Sequence, residues 1–499
     1  MNTATTRVLR FAGLLLALAA PATASAQGAA AAPERLSLSD AMRLAEQRSK
    51  TLRIAEAGLS RARGQRYQAR SQLLPQLNGT AAYQRTLESQ FQAISKRADD
   101  GSSGGGADTA SSGSDLANSP IAKIFAAPST VILGLTLTQN LFTAGKVTAA
   151  TRGAEAAERA AMAGVSSARA QLVLEVAQAY HNATAADRMA GIADSTLAQA
   201  ERALNQTALA RQVGTSAEFD LLRARVTRDN ARPQTIQAHA NRDIAYLRLR
   251  QLLGVSLSGP MTLTTPVRDD ITADQAMAQT AGTVLTAPVA LPRENSSATP
   301  DTTVDHRVAV KQATDALEAQ RYALKAAKWE RLPSIQLSSN YQRFGYPADG
   351  TILPSSFGLF YPNWTASMGL SFPVISSGRI KGDKMVAQAN YLEAQERLQQ
   401  AREGAELDAR VSISQYEQAQ AAYAASAGTD EQAAKAYQIA EVRFREGVST
   451  QLELDQSRTQ LQQARMNRVT AARDFELARL RLALLRDLPL SGAPTGGTR

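Results

Sequence analysis

The sequence predicts a mainly α-helical chain that also contributes strands to a membrane β-barrel, and three observations predict it. Two blocks repeat each other in order, each block holds a long proline-free stretch, and four short segments alternate apolar with small polar residues. Composition excludes much else. Among 499 residues there is no cysteine, and His181, His239 and His306 stand far apart. Disulfides, thiolate metal sites, cysteine nucleophiles and lipid attachment at a cysteine are therefore excluded, and neither metal nor cofactor is expected. Lys and Arg exceed Asp and Glu by 10. Without Arg7 and Arg10 the excess is 8, and the remaining bases alternate with acids, as in Glu155-Ala-Ala-Glu-Arg159. That pattern describes a solvated helix surface, so no nucleic-acid partner is expected.

Residues 1–26 read as a signal peptide. Arg7 and Arg10 precede the apolar run Phe11 to Ala20, and Ala24-Ser25-Ala26 supplies small residues before Gln27. The run is shorter than the ~20 residues a membrane-spanning helix needs. An exported protein of a double-membraned bacterial envelope is expected.

The first repeat is 27–254 and the second 306–488, joined by a connector over 255–305 rich in Thr, Ser and Pro. Leu74-Pro75 and the following residues to Arg85 match Leu332-Pro333 to Arg343 at an offset of 258. Gly145 matches Gly378, and Gly214 matches Gly447, both at an offset of 233. The change of offset falls between Arg85 and Leu141, so the first copy carries the longer loop, rich in Gly and Ser. Residues 489–499 read as a flexible tail.

Long helices are expected over 146–213 and 379–446. In the first, Leu172, Val176, Ala179, Ala183, Ala186, Ala190, Ala193, Leu197, Ala200 and Leu204 step by alternating fours and threes. That is a heptad seam. Alanine buries little area, so further helices must supply much of the stability. In the second, Tyr416, Tyr423, Asp430, Tyr437 and Phe444 recur every seven residues. They read as knobs in a helix seam, with a lumen-lining ladder as the alternative.

Strands are expected near 75–85, 130–140, 333–343 and 363–373. In Trp364 to Phe372, apolar or large residues take the even positions, with Thr, Ser and Gly between. Small uncharged polar groups on one face suit a wet lumen, and the lengths suit tilted membrane strands. Tyr83, Tyr341, Trp364 and Phe372 are candidate membrane-belt aromatics. Four strands cannot close a barrel around a channel, and an open edge cannot stand in lipid. Three copies would give twelve strands, an allowed even number.

Together these features resemble the TolC-like outer-membrane efflux family over about Leu36 to Leu488. The resemblance rests on Leu38-Ser-Asp-Ala-Met-Arg-Leu-Ala45, Leu74-Pro75 with Leu332-Pro333, and Leu137-Thr-Gln-Asn-Leu-Phe-Thr-Ala-Gly145. It rests also on Gly214-Thr-Ser-Ala-Glu-Phe-Asp-Leu-Leu-Arg-Ala224 and Gly447-Val-Ser-Thr-Gln-Leu-Glu-Leu-Asp455. It implies a homotrimer with a twelve-stranded outer-membrane barrel, a helical barrel in the periplasm and a small equatorial region. It implies a passive exit duct for drugs, metals or proteins, in a tripartite pump or a type I secretion system. Its partners would be outer-membrane lipid, a periplasmic adaptor and an inner-membrane transporter of RND, ABC or MFS type. Many relatives carry a lipidated N-terminal cysteine, which this sequence does not supply. Asn140 replaces the family's usual turn proline, whereas Pro373 keeps it. Gln456 stands where the family often has Asp.

Two site expectations follow. The tip residues Gly214, Thr215, Ser216, Gly447, Val448 and Ser449 are expected to dock the adaptor. The acids Asp220, Glu453 and Asp455 are expected at the periplasmic aperture, where Arg223 and Arg225 are candidate partners. No enzyme is expected. Gly145-Lys146 lacks the leading Gly and following Ser or Thr of a phosphate-binding loop, and neither a His-Glu-x-x-His nor a Gly-x-Ser-x-Gly sequence occurs. The alternative reading is a structural coiled-coil protein of the periplasm.

Overall fold

The computed structural model describes residues 35–87, 129–256, 261–265, 303–347 and 360–490. The expected signal peptide, the Gly/Ser-rich loop, most of the connector and nearly all of the tail lie outside the described residues. Contacts divide the chain into two units. One is Lys50–Gln171, Asn295–Ser414 and Arg481–Arg499, here the sheet unit; the other is Met1–Ser49, Leu172–Glu294 and Gln415–Leu480, here the tip unit.

In chain order the elements are β1 (Arg35–Leu36), α1 (Leu38–Arg48), α2 (Lys50–Ser71), β2 (Gln76–Arg85) and β3 (Ser129–Phe142). Then come α3 (Lys146–Gln212), α4 (Glu218–Leu253), β4 (Thr262–Leu263) and a short 3-10 turn, Val304–His306. The series closes with α5 (Val308–Lys328), β5 (Ser334–Gly345), β6 (Phe360–Ser371), α6 (Arg379–Arg445) and α7 (Gln451–Ala483). Helices α3 and α6 have 67 residues each.

In the sheet unit, β2-β3-β5-β6 form one antiparallel sheet. Because directly opposed residues share a face, the register sorts the side chains. Leu77, Gly79, Ala81 and Tyr83 lie opposite Leu137, Leu135, Leu133 and Val131. Leu135 lies opposite Tyr341, which lies opposite Trp364. The other face carries Asn78, Thr80, Thr136, Ser338, Asn340, Thr365 and Ser367. Its groups bond to one another: the Thr136 hydroxyl donates to Asn340 Oδ1 at 3.1 Å, and Ser338 and Ser367 hydroxyls are 2.7 Å apart.

Strand β3 runs past Asn140 to Phe142, with a register shift between the two, and the Asn140 amide donates to the Gln72 carbonyl at 3.0 Å. At the matching place β6 stops at Ser371, before Phe372-Pro373. Pro373 has no N–H with which to carry the ladder on, whereas Asn140 keeps one. Two like turns then launch the long helices. Ala144 and Ser377 take positive φ, followed by Gly145 at +82° and Gly378 at +89°. At Gly145 a Cβ would meet the Trp329 ring at 2.8 Å, so both conformation and space demand glycine.

Arg307 caps this unit's interior. Fully buried, it donates through Nη2 to Asp408 Oδ2 at 2.6 Å, while Arg481 reaches Asp408 Oδ1 at 3.3 Å. The cluster of Val310, Leu398 and Ala405 lies close in sequence to this pair.

In the tip unit, the α3 seam residues Leu172, Val176, Ala183, Ala190, Ala193 and Ala200 are buried. So are Val173, Ala177, Tyr180, Thr196, Ala203 and Thr207, a second stripe. An alanine-rich helix therefore buries two faces rather than one, which supplies the area its seam alone lacks. The α6 heptad packs as knobs against α7: Tyr423 stacks on Phe475 at 5.4 Å, and Tyr437 joins Leu454 and Leu461. Tyr180 fastens the chain's early strand. Its hydroxyl donates to the Leu36 carbonyl at 3.0 Å and accepts from the Thr265 N–H at 2.9 Å, beside the parallel β1–β4 pair.

Candidate functional site

The tip unit carries two hairpin tips with the same backbone chemistry. Gly214 (φ +83°) and Gly447 (φ +72°) each follow a long helix. The Gly214 N–H donates to the Arg211 carbonyl at 3.1 Å, and the Thr215 N–H to Ala210 at 2.9 Å. Gly447 donates to Phe444 at 3.1 Å, and Val448 to Arg443 at 2.8 Å. This paired closure satisfies the helix's last carbonyls and needs a left-handed residue. The Thr215 hydroxyl also donates to the Ala210 carbonyl at 3.1 Å, so this side chain is part of its own turn. Val448 is 67% exposed, an apolar side chain held out in solvent. Ser216 is half-buried with its hydroxyl 3.5 Å from Asp220 Oδ2, whereas the Ser449 hydroxyl is buried without a hydrogen bond.

The three acids have different surroundings. Asp220 lies in the first turn of α4, where a carboxylate faces the helix's positive end. Glu453 is paired at 3.3 Å with Arg443, across its own hairpin, and its N–H is capped by the Thr450 hydroxyl. Asp455 alone of the three is tied between hairpins: Arg223 of α4 lies at 3.6 Å, and the Thr227 hydroxyl at 3.4 Å. Arg458 at 3.0 Å and Gln451 at 3.3 Å hold it from its own helix. Burial raises the Asp455 carboxyl above its ordinary range, while Arg458 and Arg223 pull it back. Of the two expected arginines, Arg223 thus meets Asp455 rather than Asp220 or Glu453.

In the sheet unit the belt aromatics occupy separate levels. Tyr341 and Trp364 meet edge to face at 6.4 Å, and Trp364 Nε1 donates to the Ser339 hydroxyl at 3.0 Å. Tyr83 sits near the loop end of β2, its hydroxyl 3.0 Å from that of Ser129. Phe372 lies just past β6 at the helix end and is 57% exposed. Among the described residues no group of three or more acids and histidines is placed to hold a metal, and no helix is long and apolar enough to cross a membrane. Sequence reasoning missed Tyr180, Arg307, Asp408 and Trp329; of these, only Trp329 had a signal, a large residue close before a repeated Leu-Pro.

Long helices with a two-faced antiparallel sheet are a fold this chain shares with solved outer-membrane channel structures. The chain belongs to the outer membrane efflux protein family, whose sequence pattern matches residues 41–255 and 299–486. The probable efflux pump outer membrane protein SepC of Pseudomonas putida is 27% identical over 214 residues, 42% of this chain; the match spans 39% of that relative's length. A membrane protein from Pseudomonas aeruginosa has a similar fold, with TM-score 0.66 and 19% identity over 90% of this chain and 93% of that one. The Campylobacter jejuni CmeC outer membrane channel aligns with TM-score 0.67 and 16% identity, over 91% and 87% of the two chains. The family is described as one of outer membrane efflux proteins.

Proposed function

We propose that three copies of this chain form the passive exit duct of a tripartite pump, or of a type I secretion system. The duct releases small toxic molecules or proteins delivered by an inner-membrane transporter of RND, ABC or MFS type through a periplasmic adaptor. The carrying observation is the sheet: one face mainly apolar, the other mainly Ser, Thr, Asn and Gln apart from the row Ala82, Ile132, Phe344 and Tyr361 at its loop end, and both edge strands exposed along nearly their whole length. Such edges need partners wherever water is absent, because each unpaired backbone group costs several kcal/mol in hydrocarbon. Joining β6 of one copy to β2 of the next turns the polar face inward. The like order of strands and long helices on either side of the connector supports a tandem repeat. The two tips end the periplasmic helices, where Thr215, Ser216, Val448 and Ser449 meet the adaptor, and Asp220, Glu453 and Asp455 line the aperture. None of these roles requires a catalytic group or a cofactor.

Chemical crosslinking in native membranes, followed by planar-bilayer recording of the purified species, tests the reading. A trimer that conducts ions is expected. A protein that remains monomeric, or that inserts without conducting, overturns it.

A further inference from the structure

We propose that the rim where helices meet the sheet is a docking collar for anionic phospholipid headgroups of the leaflet facing the helices. The collar rests on the membrane reading of the sheet given above, and all of it lies in the sheet unit. Four junctions join helix to strand there, over residues 66–75, 143–152, 325–333 and 372–384. They hold ten Lys and Arg against two acids, Glu330 and Asp383. That surplus of eight equals the surplus of the whole sequence beyond Arg7 and Arg10, so everything else after the expected signal peptide is balanced.

Register and contacts bring the junctions to one end of the sheet. Gln76 lies opposite Thr138, Asn140 opposite Gln336, and Ser334 opposite Ser371. Lys146 Nζ donates to the Glu330 carbonyl at 3.3 Å, and Arg379 Nη1 donates to Glu330 Oε1 at 2.6 Å. Arg379 also reaches Asp383 at 3.0 Å, so a single cation engages both acids. Among the described residues the exposed side chains of Arg70, Lys328, Arg331, Lys381 and Lys384 have neither a hydrogen bond nor an ion pair.

Depth follows from where charge resumes. Residues 71–84, 129–145, 332–342 and 360–378 are uncharged, and the first charges beyond them at this end are Arg70, Lys146, Arg331 and Arg379. Lys381 and Lys384 follow Arg379 along α6 by ~3 and ~8 Å at ~1.5 Å per residue. The headgroup layer on each side of the hydrocarbon is roughly 5–8 Å deep. Just on the sheet side of these cations, Phe372, Val374 and Ile375 are 57%, 80% and 85% exposed. An exposed apolar loop followed by unpaired cations has the profile of a leaflet, acyl chain first and phosphate second. The charges decide the occupant. A second copy would bring the same surplus against this one, whereas each basic residue adds to the attraction of an anionic lipid surface. In the proposed trimer, anionic headgroups between the three collars offset their mutual repulsion.

The test reconstitutes the full-length chain into phosphatidylcholine vesicles. Spin-labelled phosphatidylglycerol and phosphatidylcholine with identical chains then report which lipid gathers at the protein surface. Wild type is expected to hold the anionic probe about threefold better, equivalent to ~0.65 kcal/mol, and added salt should weaken the preference. Arg331→Gln with Lys381→Gln and Lys384→Gln should abolish it, while Arg331→Lys with Lys381→Arg and Lys384→Arg should keep it. If the triple glutamine variant fails to fold, Lys381→Gln with Lys384→Gln should still lower the preference. Equal distribution around wild type, or an undiminished preference in the folded glutamine variants, overturns the collar. Loss of the preference to inorganic phosphate at matched ionic strength also overturns it, in favour of a small-anion site. Efficient crosslinking of Lys384→Cys between copies by a short bifunctional maleimide would assign the surface to a protein contact instead. Membrane fractionation separates this from the underlying reading. Wild type absent from the outer-membrane fraction refutes the duct itself, whereas wild type present there without lipid preference refutes the collar alone.

Discussion

The Arg223 guanidinium lies 3.6 Å from the Asp455 carboxylate, linking α4 to the first turns of α7. Both hairpins must separate at this point if the tips are to spread. Desolvation of the largely buried Asp455 offsets part of the attraction, so a net contribution on the order of 1 kcal/mol is expected, enough to shift an open–closed equilibrium severalfold. Arg223→Gln is expected to raise the open probability in single-channel recordings, while Asp220→Asn with Glu453→Gln lowers cation preference. Two unit charges ~6 Å apart repel by roughly 3 kcal/mol at an effective dielectric of 20, so removing the two acids that are not tied between hairpins is expected to act on selectivity. Identical recordings from all variants would remove these residues from the aperture.

Val448 projects from its tip with no role in the turn's hydrogen bonds beyond its backbone N–H. Val448→Trp should therefore block adaptor crosslinking while leaving the assembled species intact. Thr215 makes a poorer test, since its hydroxyl also closes its own turn. Undiminished crosslinking by Val448→Trp would place docking elsewhere.

Met368 lies opposite Leu337 on the apolar face, and Ser367 opposite Ser338 on the polar one. Met368→Arg or Leu370→Arg should cost about 2–4 kcal/mol near mid-bilayer, falling toward the interface. Ser367→Asn and Gly369→Ser should be tolerated. Reversible unfolding in vesicles measures the difference, and equal damage on both faces would show that the faces are exchanged.

His181 sits buried in α3 with Nδ1 lacking a hydrogen bond, its ring edge-on to Tyr180 at 6.0 Å. Burial, aided by the Arg479 charge, lowers its pKa from 6.5 to about 4. The unfolded chain thus binds the proton more readily than the folded one. This group's contribution is complete above pH 6.5 and is lost as the pH falls toward 4, roughly 3 kcal/mol across that window. Denaturant midpoints measured from pH 7 to 4 should fall in wild type and fall less in His181→Phe. Parallel curves would contradict this assignment.

Asp408 is the counter-charge of the fully buried Arg307. Asp408→Ala leaves that cation uncompensated and should cost about 3–5 kcal/mol. Replacing both, as Arg307→Met with Asp408→Leu, should recover much of the loss. A double variant as unstable as the single one would mean that the pair's packing, rather than its charge, matters.

The long-range order of this chain was open to reading because its main signals are periodic. A two-residue period separates Leu135 and Tyr341 from Thr136 and Asn340, and a seven-residue period lines up Tyr423 with Tyr437. The longer run of β3 is understandable from Asn140 standing where the other copy has Pro373. What stayed hidden are contacts without period. Tyr180 reaches Leu36 across 144 positions and Arg307 reaches Asp408 across 101, and neither residue differs locally from its neighbours. The same holds for Asp455, whose partner Arg223 comes from another hairpin. A wholly different signal, glycine with positive φ, marked both tips because the closing turn admits few other residues.

In the proposed trimer, the exposed edges of β2 and β6 also bear on how the copies would enter the membrane. A lone protomer entering hydrocarbon would drag two rows of unpaired backbone groups with it, a barrier that grows with each residue inserted. Encounter must come before insertion, so the rate of membrane entry should rise more steeply than linearly with the supply of newly exported chains. Below a threshold of synthesis the chains would wait in water, available to proteases and chaperones.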